Sequence, residues 1–258
     1  MGILKKQLVA ANAKNNVRLP GTAEDTMSIP TGFDFIDYAC ATVCETEDGE
    51  EFINAGLPYG KAYMFIGNSQ AGKTTLAIQC ANTLAAPYNG DVLVLDYERS
   101  SNNLGQRVRH ITGASKEEFE DRFTVYNHVN MSTEFLKEII FQIRDMKKKL
   151  KASDMVEHID IHGNTVKMYP PTILIVDSIP AMKPKEVLED SELDNNMVGG
   201  KMAAANSNLA KTIVALLEAY NITIFFINHI TTKIVTNAYA PKKVQLPGLG
   251  VDCAPLTK

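Results

Sequence analysis

The chain has 258 residues, 45% hydrophobic and 22% charged, and its 26 basic against 30 acidic side chains leave a net charge of −4. That balance suits a globular protein with an ample core and excludes a uniformly basic, non-specific nucleic-acid binder, while leaving room for a local basic groove. No apolar run approaches the roughly 20 residues that span a bilayer, no signal peptide opens the chain, and four cysteines are too few for a disulfide framework. These features point to a reducing, cytoplasmic compartment and away from a membrane.

Residues 2–16 place Ile3, Leu4, Leu8 and Ala11 on one face of a short amphipathic helix that ends at Asn15-Asn16. A turn-rich linker follows, through Leu19-Pro20-Gly21 to Ile29-Pro30-Thr31-Gly32. A helix on such a tether cannot bury its face alone, so it is expected to dock on the core or on a neighbouring subunit. Residues 1–28 are therefore read as an arm and 29–258 as the core. Phe33 to Val43 is expected to form a first core helix, with Cys40 and Cys44 as small buried side chains. The acidic run from Glu45 to Glu51 reads as a solvated loop. Gly56-Leu57-Pro58-Tyr59-Gly60 then turns the chain into an apolar strand, Ala62 to Ile66.

The run Gly67-Asn68-Ser69-Gln70-Ala71-Gly72-Lys73-Thr74 reads G-x-x-x-x-G-K-T, between that strand and a helical pattern opening at Thr75. Its glycines let backbone N–H groups wrap a pyrophosphate, and the helix presents its positive dipole end to the same anion. Lys73 is placed to reach the β- and γ-phosphates of ATP and the Thr74 hydroxyl to ligate Mg²⁺. From here strands and helices alternate, the signature of an α/β fold with a mostly parallel sheet covered on both faces. Val92 to Asp96, Thr172 to Asp177 and Ile222 to Ile227 are apolar enough to be central strands, and Phe123 to Tyr126 is a weaker one. Residues 133–150 and 201–220 read as helices; the first carries Phe135, Ile139, Ile140 and Ile143 inward and ends in Lys147-Lys148-Lys149. Between them, residues 156–169 suggest a surface hairpin. Its His158, Asp160 and His162 alternate like metal ligands, but a polar outer face accounts for them as well.

Two carboxylates stand at strand ends. Asp177, followed by the small Ser178, fits a Walker-B aspartate that holds Mg²⁺, and the competing reading is a helix cap. Glu98, in Asp96-Tyr97-Glu98, is placed either to polarise water near a γ-phosphate or simply to cap a strand end.

The ordered set of these motifs resembles the RecA family of strand-exchange recombinases, including the phage UvsX type. It comprises Ile29-Pro30-Thr31-Gly32 ahead of Asp37, Gly56-Leu57-Pro58-x-Gly60, the phosphate loop, Asp96-x-Glu98, Asp177-Ser178-Ile179-Pro180-Ala181 with Lys183-Pro184-Lys185-Glu186, and Phe226-Ile227-Asn228-His229. The resemblance implies a RecA-like core that binds ATP with Gly67, Asn68, Ser69, Gln70, Ala71, Gly72, Lys73, Thr74 and Thr75. It also implies metal at Thr74 and Asp177, water activation by Glu98 beside Lys73, and nucleotide sensing by His229. Two DNA loops are implied: one at 184–200 with Met197, Gly199 and Gly200, followed by Lys201 opening the next helix, and one at 231–250 with Lys233, Lys242 and Lys243. The implied partners are single-stranded DNA, a homologous duplex and further copies of the chain in a helical filament, with the N-terminal helix resembling the family's oligomerisation arm. The implied setting is a nucleoid or a phage-infected cell. Three departures accompany it: the first loop is acidic in its first half, the 156–169 hairpin is additional, and the sequence stops where the family continues with strands bearing trans-acting basic residues. A ring-forming helicase, a RadA-like branch-migration ATPase and a non-catalytic ATP-binding paralogue are the alternatives.

Overall fold

The computed structural model describes residues 28–45, 49–99, 104–128, 131–159, 165–189, 195–232, 244–246 and 251–253. The amphipathic helix expected at 2–16 lies outside them, as do Asp160, His162, Lys233, Lys242 and Lys243.

Five parallel strands form the central sheet: β3 (Ala62–Gly67), β4 (Asp91–Asp96), β5 (Phe123–Tyr126), β8 (Thr172–Asp177) and β9 (Ile222–His229), in the spatial order β3-β9-β8-β4-β5. The most continuously apolar segments take the centre because a parallel strand there is covered on both faces. β8 is buried along its whole length. Its alternate side chains feed two cores. Ile173 and Ile175 join Ala77, Ile78 and Leu84 from helix α2 (Lys73–Ala85) on one face. Leu174 and Val176 join Leu136 and Ile140 of α5 (Thr133–Lys147) and Ile213 and Leu217 of α7 (Asn195–Ala219) on the other. β5 is an edge strand, in keeping with its weak pattern. Helices α3 (Leu104–Thr112) and α4 (Lys116–Arg122) connect β4 to β5, and a Ser115–Glu118 capping box starts α4. No helix among the described residues is long and apolar enough to cross a membrane.

Several local expectations are corrected. The helix expected at 33–43 is only α1 (Asp34–Ala39), and the chain then enters an antiparallel hairpin, β1 (Thr42–Glu45) with β2 (Glu51–Asn54). β-branched and aromatic residues, Thr42 and Val43 on one arm and Phe52 and Ile53 on the other, favour the pleated form. Cys40 is consequently exposed and Cys44 half-buried; Cys80 is the buried one. The hairpin expected at 156–169 is present as β6 (Val156–Ile159) paired with β7 (Thr165–Met168). Its His158 faces inward, not outward: it is 4% exposed, its Nδ1 lies 2.6 Å from the Tyr88 hydroxyl, and its ring meets those of Tyr59 and Tyr88 edge-on.

The long C-terminal helix begins at Asn195, six residues before Lys201, so Met197, Gly199 and Gly200 lie in its first turns and not in a loop. Among the described residues the turn Ile179–Ala181 and the five-residue α6 (Lys185–Glu189) lie between β8 and this helix. Described segments after β9 also carry strands. β10 (Thr231–Thr232), β11 (Val244–Leu246) and β12 (Val251–Cys253) form a small antiparallel sheet.

Candidate active site

The register of the sheet gathers the site. Pairing of β3 with β9 sets Gly67 opposite His229, and pairing of β4 with β8 sets Asp96 opposite Asp177. The ends of β3, β9, β8 and β4 thus meet at the carboxyl edge, where open α/β sheets bind their ligands. Tyr97 and Glu98 are held there because their N–H groups donate to the Asp177 carbonyl at 2.7 and 3.2 Å.

Between β3 and α2 the run from Gly67 to Gly72 makes a tight arch. Gln70 has φ of +61° and Gly72 +81°, the left-handed turns from which anion-binding nests are built. No side chain caps the first N–H groups of α2, which leaves them to an anion. Asn68, Ser69, Gln70 and Ala71 are exposed along the arch and Thr75 is half-buried. Thr75 also lines an open cleft of about 470 Å³ with Phe33, Phe65, Leu76 and Gln79.

Lys73 is buried and folded back over its own loop, its Nζ donating to the carbonyls of Gly67 and Asn68 at 3.1 and 2.6 Å. The same Nζ lies 3.2 Å from His229 Nδ1. An ammonium has only donors to offer, so in this contact Nδ1 accepts and Nε2 is left to donate. That Nε2 stands 2.8 Å from Glu98 Oε1, which also accepts a hydrogen bond from the Ser178 hydroxyl. Four side chains from four elements therefore form one chain of hydrogen bonds, Lys73 to His229 to Glu98 to Ser178. The strand exit is tied in as well, because Ile230 N–H donates to the Gly67 carbonyl at 3.2 Å.

The two carboxylates are pushed apart. Burial pushes Glu98 up, but the donors from Ser178 and His229 and the charge of Lys73 outweigh it and hold its acid below the usual glutamate value. Asp177 is held above the usual aspartate value, by burial first and by the Glu98 charge, against a hydrogen bond from Thr74. That bond, Thr74 Oγ1 to Asp177 Oδ2 at 2.6 Å, brings a hydroxyl and a carboxylate oxygen together. Such a hard-oxygen pair fits Mg²⁺, which prefers few protein ligands and completes its octahedron with water and phosphate.

The sequence thus anticipated Lys73, Thr74, Glu98, Asp177 and His229, and the structure brings all five together. It missed Ser178 as a partner of Glu98; the signal available was a hydroxyl residue directly after the strand-end aspartate. Met197, Gly199, Gly200 and Lys201 lie at the start of α7, with Met197 55% exposed and Lys201 paired to Glu186 at 3.2 Å.

No protein-family model matches the chain. Over 184 residues, 69% of this chain and 44% of the relative, it is 26% identical to Protein RecA of Malacoplasma penetrans. Over 86 residues, 32% of this chain and 25% of the relative, it is 37% identical to the methionine import ATP-binding protein MetN 1 of Yersinia pestis. The matched stretches span less than half the length of either relative. Both similarities, with the phosphate loop and parallel sheet described above, support a P-loop nucleotide-binding ATPase.

Proposed function

We propose that this chain is a DNA-dependent ATPase of the recombinase type, which assembles on single-stranded DNA as a filament and promotes homologous pairing and strand exchange. The observation that carries the reading is the hydrogen-bonded chain from Lys73 through His229 to Glu98 at the mouth of the phosphate loop. It joins the group that would meet the β- and γ-phosphates, the group that would sense them and the group that would activate water. The similarity to Protein RecA supports the same reading over two thirds of the chain.

In this mechanism the N–H groups of Gly67 to Thr75 hold the phosphates and Lys73 turns from its own carbonyls toward them. Thr74 and Asp177 would hold Mg²⁺, which would supply charge neutralisation to the phosphates when bound. Glu98 takes a proton from water as the water oxygen attacks the γ-phosphorus; the bond to the bridging oxygen breaks and ADP leaves. His229, released from Lys73, donates its Nε2 proton to the γ-phosphate. Because Ile230 is tied to Gly67, that movement is felt at β10, where the segment bearing Lys233, Lys242 and Lys243 begins. Those lysines and the start of α7, with Met197, Gly199, Gly200 and Lys201, are the proposed DNA contacts. Residues 1–28 are the proposed oligomerisation arm.

Negative-stain images of the protein with ATP and single-stranded DNA test the assembly. Helical filaments are expected; closed rings would favour the helicase alternative, and dispersed monomers the non-catalytic one.

A further inference from the structure

Ser178 has no part in the mechanism above, yet it is completely buried and its hydroxyl is spent on Glu98. The residue is extended at the exit of β8, and its backbone carbonyl already starts the turn Ile179–Ala181 by accepting from Ala181 N–H at 3.1 Å. The turn therefore does not need the side chain. On Glu98, Oε1 receives two donors, Ser178 from one side and His229 Nε2 at 2.8 Å from the other. Two donors use the lone pairs of one carboxylate oxygen, and among the described residues none reaches Oε2.

We propose that Ser178 is a positioning residue for hydrolysis: its hydroxyl pins Oε1 of Glu98 so that Oε2 alone faces the attacking water. The inference rests on the reading of Glu98 as the base. When His229 turns to the γ-phosphate it leaves Glu98, and Ser178 becomes the donor that still fixes the carboxylate at the moment of attack. A carboxylate held by one buried hydroxyl keeps its rotamer; one held by none swings, and misplacement on the ångström scale is enough to cost much of the rate. The two residues are joined across neighbouring strands, since β4 pairs with β8 up to Asp96 opposite Asp177. The distance between base and loop is thus set by the sheet, and its orientation by this one hydroxyl.

The test compares Ser178→Ala, Ser178→Cys, Glu98→Gln and the double variant Ser178→Ala/Glu98→Gln, in full-length protein with ATP, Mg²⁺ and single-stranded DNA. Steady-state hydrolysis is read beside the affinity for a fluorescent ATP analogue. Ser178→Ala is expected to lower kcat roughly 10- to 100-fold with KM and analogue affinity unchanged. Ser178→Cys, which keeps the volume but offers a weak donor, is expected to fall between it and the native protein. In the Glu98→Gln background, removing the hydroxyl should cost nothing further, because there is no base left to place. A native kcat in both serine variants overturns the proposal, as does an equal loss in both backgrounds or a loss confined to KM. If Glu98→Gln itself turns over like the native protein, the reading of Glu98 fails and takes the proposal with it; if Glu98→Gln is slow and the serine variants are not, only the proposal fails.

Discussion

Lys147 carries an amine into the core at the amino-terminal edge of the sheet, far from the phosphate loop. Its Nζ lies within hydrogen-bond reach of the carbonyls of Pro170, Tyr220 and Asn221 at 2.8, 2.8 and 3.1 Å, so one amino group ties together the end of α5, the approach to β8 and the turn into β9. Burial pushes its pKa down from 10.5 to about 7, against the charge of Asp91. Because the folded value is depressed, the stabilising share is fully present above the unfolded value near 10.5 and is lost as pH falls toward 7. Denaturant unfolding should therefore show stability rising between pH 7 and 10 by an amount on the order of a few kcal/mol. Lys147→Met should flatten that rise while lowering stability outright, since three buried carbonyls lose their donor. An unchanged slope in the variant would show that Lys147 stays charged in the fold. The residue was invisible in the sequence because it opens a run of three lysines, and only its contacts with Tyr220 and Asn221 tell the buried one from its neighbours.

At the scale of elements, the five central strands and the start of α5 at Thr133 were legible, whereas the first hairpin and the start of α7 were not. Continuous apolar runs such as Thr172 to Val176 admit little besides a central strand. The helix expected at 33–43 ran too far because its apolar residues fit a helical spacing, and only the pairing of Val43 with Ile53 and of Cys44 with Phe52 marks its end as a strand. The motif around Gly56 has a steric cause: Ile29 and Leu57 exchange backbone hydrogen bonds at 3.1 and 2.9 Å, and a Cβ on Gly56 would stand 2.3 Å from the Ile29 carbonyl oxygen. Gly56 also has φ of +109°. Gly56→Ala should therefore destabilise the protein by more than about 2 kcal/mol, measured by urea unfolding, and a neutral result would mean that this bridge dissolves at little cost. The glycines of α7 behave oppositely. Gly199 and Gly200 were read as loop residues, yet they are helical and a Cβ on either meets nothing within 4 Å. Replacing both with alanine should stabilise the helix by about 1–2 kcal/mol, seen as a higher urea midpoint. Destabilisation would show that the chain uses their freedom in the native state.

At the scale of the whole molecule, we propose that one sheet edge binds and hydrolyses ATP and passes the state of the nucleotide through β9 to the small antiparallel sheet beyond it. Much of this edge could be read in the sequence, because phosphate binding constrains residue type and order. What could not be read is mutual contact: that Lys73, in the arrangement seen, rests on its own loop and on His229, that His229 stands between Lys73 and Glu98, and that Ser178 answers Glu98. Those contacts join residues 80 to 156 positions apart in the chain, which only the shared register of the sheet brings together. The most direct test is ATP turnover by native protein and by Glu98→Gln, each with and without single-stranded DNA, beside ATP affinity. The account predicts DNA-stimulated hydrolysis in the native protein and a loss on the order of 10²–10⁴ in Glu98→Gln with affinity retained. Equal turnover in the two proteins, or none in the native protein with DNA present, would contradict it.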